Sequence, residues 1–426
     1  MRGGVLAGLD ERMAEPAENA PVAVLDRRRR RGSALIRYHY VPVVAVAGLA
    51  GVGLLGPADL ADAARVLWRP LLAIASIMVT AAAANRLGVM RRVAAGLFPL
   101  ARGSRHRLFV VVFALSGVTA TVLNNDAAVL LVVPIVLTLV RGLFPDDPEL
   151  LVPYSLAVFM AAGVAPLVVS NPMNMIVAEY VGLDFNSYAL RMVPISLAGS
   201  AVTLLLLRQV FRRQLQGPPA TTSAPEPWPW TRPELQGLVL LLVVFGAYPL
   251  ISYAGGPVYA VAVAGALAAI VLCRRHGVGQ PWTVVREDIA WEILVFLAGV
   301  SVLAVGLRDL GLGQHLATAY GDTGTFGIGA ISAAGSAVFN NHPMSLLNML
   351  ALDSGRHDGL DPVLAALIGG DLGPRLLPWG SLAGLLWFAS LRQLGVSVPV
   401  KRFVVVGATL TAFALPLSLL LLTVLP

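Results

Sequence analysis

Long apolar runs separated by short polar loops occupy nearly the whole chain. They fall near 40–56, 66–84, 107–140, 150–181, 191–208, 236–253, 257–272, 289–308, 324–352, 362–391 and 403–424. A helix needs ~20 apolar residues to cross a bilayer, so the pattern predicts an all-α polytopic membrane protein with about 9–11 spans. Two runs, 107–140 and 324–352, are interrupted midway by strongly polar residues and predict re-entrant hairpins. Two others, 150–181 and 362–391, are broken by Gly, Pro and Asn and predict broken helices. The Pro-rich polar stretch 214–235 reads as a linker between halves.

Composition agrees with lipid as the main solvent. The chain is 57% hydrophobic and 13% charged, about half the charge of a soluble domain. Its net charge of +7 needs no nucleic acid partner, because cations of a membrane protein collect in cytoplasmic loops. Basic loops hold Arg86, Arg91, Arg92, Arg102, Arg105 and Arg107, then Arg208, Arg212 and Arg213, then Arg274 and Arg275, then Arg392, Lys401 and Arg402. Acids gather on the other side, at Asp59, Asp62, Asp184, Asp322, Asp353, Asp358 and Asp361. This orientation predicts residues 1–34 as a disordered cytoplasmic tail, with the arginines Arg27 to Arg31 as its stop. No apolar stretch precedes those arginines, so no removable signal peptide is expected. Cys273 stands alone, which excludes a disulfide framework and a Cys-cluster metal site.

The halves carry the same interruptions with opposite flanks. Arg107 and Arg141 border the first interrupted run, whereas Asp322 and Asp353 border the second. Residues 35–213 are therefore expected to form a first inverted repeat, 214–235 a cytoplasmic linker, and 236–426 a linking helix plus the second repeat. Matching broken helices in oppositely oriented halves are the pattern of secondary transporters, which bind ligand between the halves at the midplane.

Four polar breaks hold the candidate chemistry. They are Asn124, Asn125 and Asp126 in TVLNNDAAVLL; Ser170, Asn171, Pro172 and Asn174 in VVSNPMNMIV; Asn340, Asn341, His342 and Pro343 in VFNNHPMSLL; and Gly370, Asp371, Arg375 and Ser381 in LIGGDLGPRLLPWGSLAG. Backbone freed at membrane depth must find new partners. Asn both donates and accepts, so it can close a tight turn or face a ligand. The first Asn of each pair is equally consistent with capping the hairpin tip. The remaining candidates for ligand contact are Asn125, Ser170, Asn171, Asn174, Asn341, Gly370 and Ser381. An intramembrane Asp costs roughly 2.5–3.5 kcal/mol on insertion scales, which marks Asp126 and Asp371 as functional. Either could carry a proton, and His342 could titrate as well. The alternatives are a salt bridge to Arg375 for Asp371, and helix capping for Asp126. Met173, Met175, Met344 and Met349 read as packing. No P-loop, HExxH or GxSxG motif is present, so neither cofactor nor enzyme activity is predicted.

With these segments together, the chain resembles the arsenical pump membrane protein (ArsB) family of the ion transporter superfamily. LNNDAAVLLVVPIVL is similar to that family's first hairpin. SNPMNMIVAEYVGLDFNSYALRMVP and GGDLGPRLLPWGSLAGLLWFASLRQLGVSV are similar to the regions around its two broken helices. His342 departs from the pattern, in which an apolar residue is expected. The resemblance implies efflux of arsenite or antimonite, carried as the neutral hydroxide, across the inner membrane in exchange for protons. It also implies a possible soluble arsenite-stimulated ATPase as partner. An anion or sodium-coupled carrier of the same superfamily, of dicarboxylate or sodium/proton antiporter type, stays open.

Overall fold

The computed structural model describes residues 43–425 apart from 52, 54, 221–228, 281–282, 284, 287–290, 309–311, 322 and 354–358. The expected N-terminal tail, the middle of the linker, Asp322, Asp358 and the side chains of Asp59 and Asp62 lie outside the described residues. The fold is all-α and multi-pass. A short helical stretch at 43–51 precedes α1 (Pro57–Arg86) and α2 (Val89–Ala101). The first hairpin follows as α3 (Arg105–Leu123) and α4 (Asn125–Leu143), then a broken helix as α5 (Leu151–Ala161) and α6 (Pro172–Val181), then α7 (Phe185–Val210). Two long helices lead to the second half, α8 (Arg232–Tyr253) and α9 (Val258–Arg275), with α10 (Trp291–Arg308) and α11 (Leu312–Tyr320) beyond them. The second hairpin is α12 (Gly324–Phe339) and α13 (Asn341–Leu352), the second broken helix α14 (Asp361–Leu372) and α15 (Leu382–Gln393), and the last helix α16 (Val400–Val424).

Seven helices among the described residues are long and apolar enough to cross a bilayer, by length and composition. They are Leu67–Arg86 within α1, then α3, α4, α7, α8, α9 and α16. The broken-helix pieces and the arms of the second hairpin are shorter.

Local chemistry sets the helix ends. Ser104 Oγ accepts the Arg107 N–H at the start of α3. Asp184 Oδ1 accepts the N–H groups of Asn186 and Ser187 at the start of α7, and these bonds hold the Asp184 carboxyl below its usual range. Gly182 in the left-handed region (φ 67°) ends α6. Thr231 and Glu234 form a reciprocal capping box that starts α8. At the near end of the linker, Pro218 accepts from Arg105 Nε at 2.8 Å, so this stretch folds back onto the α2–α3 turn.

The packing correspondence between halves is the informative feature. α3 packs on α5 as α12 packs on α14, and the final helices α7 and α16 pack on each other. Between halves, α15 lies along α4 and α6 lies along α13. Each broken helix thus leans on the opposite hairpin. Small residues allow the closest approach, as expected where lipid gives helices no hydrophobic reason to associate. A Cβ at Gly369 or Gly373 would collide with backbone of α12 at Gly329 and Ala333, and one at Gly407 would strike the Arg375 carbonyl. On the other side, Trp387 is fully buried among Phe159, Phe388 and Phe403, and its indole N–H reaches the Ser155 carbonyl at 3.0 Å.

Candidate functional site

The two hairpin tips have one design. Asn124 (φ 89°, ψ 164°) joins α3 to α4, and Asn340 (φ 83°, ψ 146°) joins α12 to α13. L residues rarely adopt this backbone. It persists because the side chain caps the next helix: Asn124 Oδ1 accepts the Ala127 N–H at 2.9 Å, and Asn340 Oδ1 accepts the His342 N–H at 3.3 Å. Asn340 also donates from Nδ2 to the Trp379 carbonyl, and the Asn341 N–H reaches the Gly380 carbonyl. The first Asn of each pair therefore shapes the tip. The second, Asn125 and Asn341, faces a shared cavity.

That cavity takes in about 420 Å³ of space between atoms, open solvent included. Its polar lining comes from both tips (Asn125, Asp126, Asn341, His342) and both breaks (Asn171, Asp371, Arg375, Ser381), with Phe159, Ala162, Pro374 and Ala383 as the apolar remainder. Asn171 and Ser381 are the N-caps of α6 and α15. Together with α4 and α13, four helix N-termini converge here, a positive setting in which carboxylates are favoured.

The two carboxylates differ in company. Asp371 accepts from the Ala165 N–H at 2.8 Å, from Asn171 Nδ2 at 2.8 Å and from Asn174 Nδ2 at 3.2 Å. Asn174 Nδ2 also reaches the Tyr188 hydroxyl, which donates to the Ala165 carbonyl. Asp371 thereby fastens the second broken helix to the break of the first. Asp126 is buried in the first turn of α4, and among the described residues nothing donates to its carboxylate. Capping belongs to Asn124, so the capping alternative for Asp126 is overturned.

The salt-bridge alternative for Asp371 is overturned as well. Arg375 turns away, donating to the Met160 carbonyl at 2.6 Å, the Ala162 carbonyl at 3.5 Å and Thr203 Oγ1 at 3.1 Å. A guanidinium on the last carbonyls of α5 neutralises the negative end of that helix. The first break is thus held at one end by Arg375 and at the other by Asp371, both from the second half.

Besides the capping residues Asn124 and Asn340, three sequence candidates stand outside the cavity lining. Ser170 donates to the Thr121 carbonyl at 2.9 Å and ties the first break to α3. Asn174 lies behind Asp371, as part of its support. Gly370 gives room to α6: a Cβ there would come within 2.9 Å of Met173 Cε. Tyr188 and Phe159 went unnamed in the sequence reading, since an aromatic in an apolar run carries no local sign of what its ring or hydroxyl will meet.

The chain is similar to known proteins. The family model described as citrate transporter matches residues 34–370. The arsenical pump membrane protein of Escherichia coli (strain K12) is 29% identical over 400 residues, covering 86% of this chain and 90% of its own length. The protein of the same name from Yersinia enterocolitica is 30% identical over 403 residues, covering 87% and 91%. Among solved structures, the YdaH transporter of Alcanivorax borkumensis, described as having an unusual topology, superposes with a TM-score of 0.56 at 16% identity over 86% of each chain. At that identity the likeness is one of fold.

Proposed function

Since this chain belongs to the citrate transporter family and, within it, to the arsenical pump membrane proteins, it is a membrane transporter, and we propose that it exports arsenite and antimonite as their neutral hydroxides in exchange for protons. The observation that carries the reading is that one cavity is lined by both hairpin tips and both helix breaks. In this proposal residues 35–213 are the first inverted repeat and 236–426 a linking helix plus the second, joined by the cytoplasmic linker 214–235. The N-terminus is cytoplasmic, the membrane is the inner one, and exchange of conformations between halves opens the cavity to each side in turn.

The residues suit a small polyhydroxylated ligand. Asn125, Asn341 and Ser381 offer donors and acceptors, and both terminal nitrogens of Arg375 are engaged elsewhere, which leaves only its buried Nε unmatched on that guanidinium. Asp126 is the better proton carrier of the two acids. Asp371 is already satisfied by three donors, so protonating it would displace a bond that supports the first break. Asp126 faces the cavity and can exchange its proton with water or ligand there.

Everted membrane vesicles with an imposed pH gradient provide the test. Arsenite uptake should follow the gradient and be lost with Asp126→Asn; uptake indifferent to both rejects the proton coupling. The four converging helix N-termini favour a second reading, an anion carrier of the dicarboxylate or citrate kind. Competition by citrate against arsenite would support it. A soluble ATPase that co-purifies with the chain and is needed for uptake would instead make it the membrane part of an ATP-driven pump.

A further inference from the structure

Two buried acceptors in the cavity lining, Asn341 Oδ1 and His342 Nε2, have no partner among the described residues. The tautomer of His342 follows from its neighbour. Both ends of the Asn340 amide are committed to backbone, Oδ1 to the His342 N–H and Nδ2 to the Trp379 carbonyl. The atom 3.2 Å from His342 Nδ1 is therefore an oxygen. It cannot donate, so Nδ1 carries the hydrogen and the neutral ring leaves Nε2 bare. The ring is held in this pose by Phe296, which meets it edge-on at 6.2 Å between centroids. His342 also lines a smaller cavity walled by Met173, Ile176, Leu297, Val300 and Leu346, with Ser345 as its one other polar residue. A buried acceptor left unmatched is costly, so these two atoms call for something that donates.

We propose that His342 is a substrate-contacting specificity residue whose Nε2, with Asn341 Oδ1, accepts hydrogen bonds from the hydroxyl groups of the cargo. This rests on the metalloid-hydroxide reading and sharpens it. A neutral trihydroxide such as arsenous acid has donors to give. Citrate at neutral pH presents mainly carboxylate oxygens, which bare acceptors repel.

The test measures binding to the purified full-length protein in lipid nanodiscs, using arsenous acid, boric acid as a neutral trihydroxide without arsenic, and citrate. His342→Leu should weaken arsenous acid about tenfold, the size of one lost neutral hydrogen bond. It should leave citrate unchanged or improved, and His342→Gln should recover most of the loss. With ring-15N histidine, assigned by comparison with His342→Gln, arsenous acid should move the Nε2 resonance while Nδ1 stays protonated. This second readout does not need His342→Leu and holds even if that variant fails to fold. Arsenous acid binding that is unaffected by His342→Leu, or that leaves Nε2 unmoved, overturns the contact while sparing the metalloid reading; the acceptors then serve a resident water. Wild-type protein that binds citrate and neither hydroxide overturns both.

Discussion

The two hairpin tips share a backbone and differ in one side chain. Asn124 and Asn340 have nearly the same dihedral angles and cap their following helices alike. Asn125 and Asn341 then face the same cavity. At the third position the first tip has Asp126 and the second His342, both buried. Asp126 is an acid with no donor among the described residues, whereas His342 has one nitrogen committed and one bare. The comparison teaches that the turn is a structural device used twice, and that the residue after it is where the halves differ; in the transport cycle proposed above, that residue carries a proton at one tip and selects ligand at the other.

The largest expected effect tests that division. Asp126→Asn should lower pH-driven arsenite uptake by about 100-fold or more, since general proton transfer contributes on that scale, with thermal stability unchanged. Placing His at position 126 and Asp at 342 in one protein should not restore uptake; recovery would mean the tips are interchangeable and would end the comparison as drawn. Asp371→Asn is the contrasting case. An amide would turn an NH2 toward at least one of three existing donors, costing about 1–3 kcal/mol of stability, read as a lower unfolding midpoint in detergent.

Asn124→Ala and Asn340→Ala come next. Each loses a cap worth ~1 kcal/mol and leaves a side chain that tolerates positive φ poorly, at a further 1–3 kcal/mol or so. Equal losses at both tips would support a shared turn, and a large loss at only one would break it. Asn125→Ala and Asn341→Ala should leave the unfolding midpoint nearly unchanged and raise the KM for arsenite about tenfold, as expected for one lost hydrogen bond. Ser170→Ala should do least, costing about 1 kcal/mol through its bond to the Thr121 carbonyl with KM unaltered.

Much of this was legible from residue order. An uninterrupted apolar run has one stable form in lipid, a helix that satisfies its own backbone. Run lengths therefore predicted the all-α fold, and the Asn, Gly and Pro clusters predicted where helices would stop. The pairs at Asn124 and Asn340 also announced capping as one of two roles. The competing fates of Asp126 and Asp371 were open, because both acids sit in similar apolar surroundings along the chain. Ser170 looked like a ligand group for the same reason.

Sequence alone determined the spans, the breaks and the polar inventory, because those depend on neighbours a few residues away and on the solvent. Tertiary structure decided which of those polar groups are already spent. Asn171 and Asp371 are 200 positions apart and meet at 2.8 Å, and Arg375 reaches back 215 positions to the Met160 carbonyl. A hydrogen bond has a direction and a length of about 3 Å, so only packing the halves together could tell a side chain with a partner from one still waiting for a ligand.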